Sequence, residues 1–269
     1  MITELINGTI QIFQRNSDWM TWNLFLAFIP LALSVLLFRH QREYRWLWWL
    51  LGLMSLMFFP SLSKILGKIT SFPADVERMQ LAWFAAFVLI AAILFISPAR
   101  WGYRFRWWVG LIGFYAFLPN APYLLTDVIH LIDDVRYISS VWIITLVLIP
   151  IYVVVIIGGM EAYVLSLINF GYHLHRIGKS KLVLWMELTT HLLSSLGIYL
   201  GRFLRFNSWD LVTKPDYLIT KTIEDTLGKQ PLVIIAITFI VLTLLYWIMK
   251  VVTLSILDRK SENGTFPAT

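Results

Sequence analysis

The chain contains no cysteine. That removes a disulfide framework, a thiolate metal site and a cysteine nucleophile at once. Charge is scarce as well: 14% of residues are Asp, Glu, Lys or Arg, where a soluble domain carries about 25%. A chain so poor in charge cannot cover a surface that faces water. Low hydrophobicity, the mark of disorder, is missing too. Low-complexity tracts, internal repeats and glycine-rich phosphate or dinucleotide loops are all lacking. What fills the 269 residues is apolar: 58% hydrophobic, 16% aromatic, mean hydropathy +0.72. These absences and that excess leave a polytopic membrane protein, expected to be all-α because its apolar runs have the length of spanning helices.

A spanning helix needs about 20 mostly apolar residues. Seven stretches qualify: Trp19–Phe38, Trp46–Leu62, Leu81–Ser97, Trp107–Leu125, Ile138–Leu167, Leu182–Leu200 and Leu232–Ile256. The expected architecture is a bundle of about seven spans with short interfacial helices at its outer face. An extracytoplasmic segment, 1–18, precedes the single helical domain 19–257, and a cytoplasmic tail, 258–269, follows it. The first strong apolar run starts only after Glu4 and Asp18, so no cleaved secretory signal is expected. The fifth stretch exceeds one crossing. Either Pro150 and Gly158-Gly159 kink it or its inner end projects into the cytoplasm.

Net charge is +6. The basic residues stand in short loops between apolar runs, which points to orientation in a bilayer and away from nucleic acid. Twelve of the 22, among them Arg39, Arg100, Arg176 and Arg259, fall on one side, with only Glu43, Asp258 and Glu262 as acids. The excess of positive charge inside places the N-terminus outside and the C-terminus in the cytoplasm. Trp46, Trp48, Trp49, Trp101, Trp107 and Trp108 flank the inner ends of the second and fourth spans, as an interfacial belt would.

Two segments carry more than membrane filler. In FLPNAPYLLTDVIHL, Phe117–Leu131, prolines 119 and 122 bracket Asn120. Each proline lacks an N–H and crowds the carbonyl four residues back, so the helix should break there. Such backbone at membrane depth lines a cavity or lies buried in protein. The plainer reading is a helix that ends at an Asn-Pro punctuator. Beyond it Asp127, His130 and Asp134 share one face of a short helix. They could bind a divalent metal or move protons, or be the solvated face of an interfacial helix; no further histidine stands near enough in sequence to favour metal. In GIYLGRFLRFNSWDLVTKP, Gly197–Pro215, Arg202 and Arg205 precede Asn207-Ser208-Trp209-Asp210. Paired arginines on the outer side run against the charge rule, and two guanidiniums can clamp a phosphate or carboxylate. Counting 1.5 Å per residue brings Asp127 and Arg202 to similar depth, so the two segments can pair. The alternative is snorkelling arginines at a span end.

Within the bilayer stand Glu161, Glu187 and His191. Glu187 and His191 are one turn apart, with Ser194 or Ser195 next on the stripe. Buried ionisable groups are costly and point first to function, here a proton relay or a substrate path. The rival is interhelical glue.

The strings LPNAPYLLTDVIHL and GIYLGRFLRFNSWD resemble the signature stretches of a bacterial integral-membrane family, domain of unknown function 1361. The resemblance implies a multi-span plasma-membrane protein of bacteria and no particular reaction. It marks Asn120, Pro122, Tyr123, Asp127, His130, Arg202, Arg205, Asn207, Trp209 and Asp210 for attention. The expected function is transport or binding of a small polar or anionic solute at the extracytoplasmic face, with the bilayer as surroundings and no cofactor, metal or nucleic acid. The alternatives are an enzyme on an envelope or lipid-linked phosphate substrate, and a non-catalytic assembly partner.

Overall fold

The computed structural model describes residues 2–39, 46–57, 75–95, 103–202 and 229–262. Among them every regular element is helical. Helix α1, Ile2–Ser34, runs on through a π-helical turn, Val35–Arg39. Then come α2, Trp46–Met57, α3, Asp75–Phe95, and α4, Tyr103–Phe117. The signature segment follows as α5, Asn120–Tyr123, a 3-10 turn, Leu124–Asp127, and α6, Val128–Tyr137. Short α7, Val141–Ile143, and a π-helical turn, Ile144–Leu148, lead into α8, Ile149–Arg176. A 3-10 turn, Ser180–Leu182, opens α9, Val183–Arg202, and α10 is Lys229–Glu262. Each of the seven apolar stretches meets a helix in its described part.

Among the described residues, four helical runs are long and apolar enough to cross a membrane by length and composition: Ile6–Arg39, Arg104–Tyr137, Val141–Arg176 and Pro231–Arg259. The 34 residues of the first make about 50 Å of helix, more than a hydrocarbon core of about 30 Å. The first helix starts at Ile2, seventeen residues before Trp19, and Ile12 and Asn16 on this extension are buried. Residues 2–18 are thus helical and continuous with the apolar stretch that starts at Trp19.

Helix α1 is well enclosed, with Phe25, Ala27, Ile29 and Leu33 buried at its centre. It runs parallel to α8: Leu24 meets Gly158, Ser34 bonds Asn169, and Arg39 lies over Tyr172. It runs antiparallel to the α4–α6 stretch, since Asn23 reaches Asp127 and Asn16 reaches Asp134. Aromatic contacts, Phe38 stacked on Phe170 at 4.5 Å and Phe114 edge-on to Phe38 at 5.4 Å, pack the end of the bundle around Arg39.

The prolines act differently from a simple break. Pro150 cannot donate to Leu146, and the chain answers with the π-helical turn just ahead of it while the 36-residue run Val141–Arg176 continues. Gly158-Gly159 lies inside that run as a packing site. A Cβ on Gly159 would stand 3.0 Å from the Ala121 carbonyl oxygen and 2.9 Å from Leu124 Cδ2, so hydrogen is the substituent that fits. At the other proline pair the backbone also stays in the right-handed helical region, with Pro119 at φ −62, ψ −20 and Leu124 at φ −58, ψ −24. The Ala121 N–H turns back to the Leu118 carbonyl at 3.1 Å, and the Asn120 side-chain amide donates to the Phe117 carbonyl at 2.9 Å. Asn120 thus serves the helix that the prolines interrupt. The expected break is a tightened helical joint.

Candidate functional site

The joint aims the face of α5–α6 at α1 and α9. Asp127 is 1% exposed and Asp134 3%. The solvated-face reading of these acids is overturned: they look into the bundle, while Val128, Ile129, Ile132 and Val135 take the outside. The reason lies on α1, where Asn16 and Asn23 are two turns apart and match the two-turn spacing of the acids on an antiparallel helix. Asn23 Nδ2 donates to Asp127 Oδ2 at 3.0 Å, and Asn16 Nδ2 to Asp134 Oδ2 at 2.8 Å. Tyr152 Oη donates to the same Asp134 oxygen at 3.0 Å, and the half-exposed Arg15 approaches Oδ1 at 3.3 Å.

Arg202, in the last turn of α9, closes the first rung. Its Nη2 donates to Asp127 Oδ1 at 2.7 Å, its Nε to Thr126 Oγ1 at 3.0 Å, and its Nη1 lies 3.4 Å from His130 Nε2. The guanidinium carbon is 4.9 Å from the Tyr123 ring centroid. Four residues of one signature segment thus surround the arginine of the other, and both Asp127 oxygens are taken. The depth count that allowed Asp127 to meet Arg202 agrees with this contact. Pro122 on α5 is buried. Arg205, Asn207, Trp209 and Asp210 lie outside the described residues.

The other end of α9 carries the reverse charge. Glu187, 3% exposed, accepts from Tyr246 Oη at 2.7 Å and from Lys250 Nζ at 2.5 Å, both on α10. One turn along, His191 is fully enclosed. Its Nδ1 stands 2.8 Å from Tyr163 Oη, which also reaches Ser194 Oγ at 3.4 Å, and its ring lies 4.6 Å from that of Tyr246. His191 Nε2 and the neighbouring Thr190 Oγ1 have no hydrogen-bond partner. Ser195 turns aside to the His191 carbonyl. Glu161 is held apart from this group, accepting from Thr253 at 2.8 Å. The three intramembrane ionisable residues therefore form one cluster and one outlier.

Sequence reasoning missed Asn16, Asn23, Tyr152, Tyr163, Tyr246 and Lys250. A signal existed for some. Two asparagines seven apart in an apolar helix repeat the spacing of the two acids, and Tyr246 and Lys250 are one turn apart in an apolar span. No group of three or more His, Asp or Glu able to hold a metal is found among the described residues.

Long apolar helices locked by buried interhelical charge pairs define an all-α membrane protein. The family model "Protein of unknown function (DUF1361)" matches residues 22–98 and 78–244, and the chain belongs to that family. No curated protein and no solved structure matches it.

Proposed function

We propose that the protein moves a small polar solute across the bacterial plasma membrane, through a seven-span bundle with its N-terminus outside. One observation carries the reading. Helix α9 supplies the cation of one interhelical ion pair, Arg202 with Asp127, and the anion of another, Glu187 with Lys250. The two pairs are fifteen residues apart, about 22 Å along the helix. Between them Thr190, His191, Ser194 and Ser195 are buried polar side chains in a stretch where lipid-facing positions would be apolar. Two breakable closures on either side of a polar midsection are what alternating access needs. An anionic solute at the outer face would have to displace Asp127 from Arg202, so opening that pair and admitting the solute become one event.

Electrogenic uptake on a solid-supported membrane, screened with small organic and inorganic anions and neutral sugars, tests this. Currents should appear with wild-type protein and vanish with Arg202→Gln and with Glu187→Gln. For orientation, a cysteine at exposed Asp133 should react with an impermeant maleimide in intact cells and one at Lys179 should not. The assembly-partner reading has its own support, because most of the buried polar groups are satisfied by one another. It predicts silence in the uptake assay and loss of stability in the same two variants.

A further inference from the structure

Among the described residues two buried side-chain polar atoms have no hydrogen-bond partner, Thr190 Oγ1 and His191 Nε2, and of these the imidazole nitrogen alone belongs to an ionisable group. The ring's Nδ1 is engaged by Tyr163 at 2.8 Å and its Nε2 by nothing, at zero exposure. A phenol has a single proton to give. If Nδ1 carries the ring proton and donates it to Tyr163, the phenol donates onward to Ser194 and Nε2 presents a bare lone pair. If Tyr163 donates to Nδ1, Nε2 is an N–H aimed at no acceptor. Both tautomers leave this nitrogen one partner short in a place where an unmet polar group is costly.

We propose that His191 Nε2 is the proton-binding atom of the bundle, and that a proton there competes with Lys250 for Glu187; the coupling rests on the transport reading above. The groups facing His191 decide the outcome. On its own helix stands Glu187, one turn away and paired with Lys250. From α8 comes Tyr163, and Tyr115 of α4 is near enough to act electrostatically on that phenol. From α10 come Tyr246, whose ring covers the imidazole and whose hydroxyl holds Glu187, and Lys250, whose charge reaches His191. A proton added to the Nε2 lone pair gives an imidazolium that keeps its Nδ1–H on Tyr163. The new charge attracts Glu187 and repels Lys250, which loosens the inner ion pair. Loss of the proton from Nε2 restores it. No bond other than N–H forms or breaks, so proton binding and opening of the Glu187–Lys250 closure are one balanced step.

The test is 15N NMR of histidine-labelled protein in lipid nanodiscs. The chain has five histidines, and His191→Gln assigns the resonance. Should that variant not fold, Tyr163→Phe assigns it instead, because losing the phenol at Nδ1 shifts the His191 signals. His191 should convert reversibly between neutral and imidazolium forms. Glu187→Gln should lower the midpoint by about one pH unit or more and Lys250→Met should raise it, because one removes an attracting charge and the other a repelling one. A His191 that keeps one neutral tautomer between about pH 5 and 8, or a midpoint indifferent to both variants, overturns the proposal. Pyranine-loaded proteoliposomes under an imposed pH gradient separate it from the transport reading. Titration with proton flux that falls at least tenfold in His191→Gln supports both. Titration without flux keeps the proton site and overturns coupled transport. Flux without titration of His191 overturns the proton site.

Discussion

The two ends of α9 meet the same problem, a charge inside a helical bundle, and solve it differently. At Arg202 the solution is saturation: carboxylate, hydroxyl, imidazole and aromatic face all come from residues 123–130, and Asp127 has a second donor in Asn23. At Glu187 the partners are a tyrosine and a lysine, and the lysine side chain keeps 24% of its surface exposed. One turn away stands an imidazole nitrogen with no partner. A saturated charge is a lock, because every atom that moves loses a bond. A charge held by one phenol and one flexible ammonium can exchange partners. The local chemistry thus assigns rigidity to the Asp127 end and adaptability to the Glu187 end.

The sharpest way to break that contrast is to remove Asp127. Asp127→Leu leaves the Arg202 guanidinium facing Thr126 and Tyr123 without a counter-charge, and should cost about 3 kcal/mol, the largest loss of any variant considered. Thermal or urea unfolding in detergent reads it. The exchange Asp127→Arg with Arg202→Asp should recover part of the loss; a swap that rescues nothing would mean the pair is not what stabilises the joint.

Lys250→Met should cost less, about 1–2 kcal/mol, since Glu187 keeps the Tyr246 hydroxyl and water can follow the vacated lysine path. Adding Glu187→Gln should recover most of it, because the amide can accept the same phenol without a charge. Equal costs for Lys250→Met and Asp127→Leu would erase the distinction between lock and exchangeable pair.

The Asp127 end also depends on how closely α8 approaches the joint. Gly159→Ala puts a methyl 3.0 Å from the Ala121 carbonyl oxygen, a backbone atom that cannot swing away. About 1–2 kcal/mol should be lost. Its neighbour is the control. At Gly158 the nearest atom to a new Cβ is Leu24 Cδ2 at 3.8 Å, an ordinary contact, so Gly158→Ala should be neutral or stabilising by up to about 1 kcal/mol through helix propensity. Indistinguishable melting for the two alanines would place the close approach elsewhere.

Helices were legible because hydrophobic length alone identifies them, and the Asp127–Arg202 contact was legible because helix rise converts residue number into depth. What escaped was azimuth. Hydropathy says that Asp127 and Asp134 lie at the rim of a span, but not which way their face turns. That depended on Asn16 and Asn23, in a helix whose first half looked too polar to belong to the bundle. The effect of Pro119 and Pro122 escaped for a related reason. Asn120 satisfies the freed carbonyl of Phe117, so a lost N–H became a tighter turn. Tyr163 escaped because aromatic residues are abundant here, and nothing in the sequence separates a phenol that bonds a buried histidine from one that fills space.

The smallest expected effect is at His130, and it tests where saturation ends. This imidazole belongs to the signature segment, and its Nε2 lies 3.4 Å from Arg202 Nη1, but the residue is exposed and that distance is long for a hydrogen bond. Its larger contact is with Trp19, ring to ring at 4.9 Å. Arg202 without His130 would still hold Thr126 and Asp127. His130→Ala should therefore change unfolding by under about 0.5 kcal/mol. Its effect on uptake is the informative measurement. A stable His130→Ala protein with normal currents confines the lock to Thr126, Asp127 and Asn23. A stable one whose currents are lost would favour a role for His130 in meeting the proposed solute beside the Asp127–Arg202 pair. A loss of several kcal/mol would show instead that the histidine is the pair's third support and extend the lock to the surface.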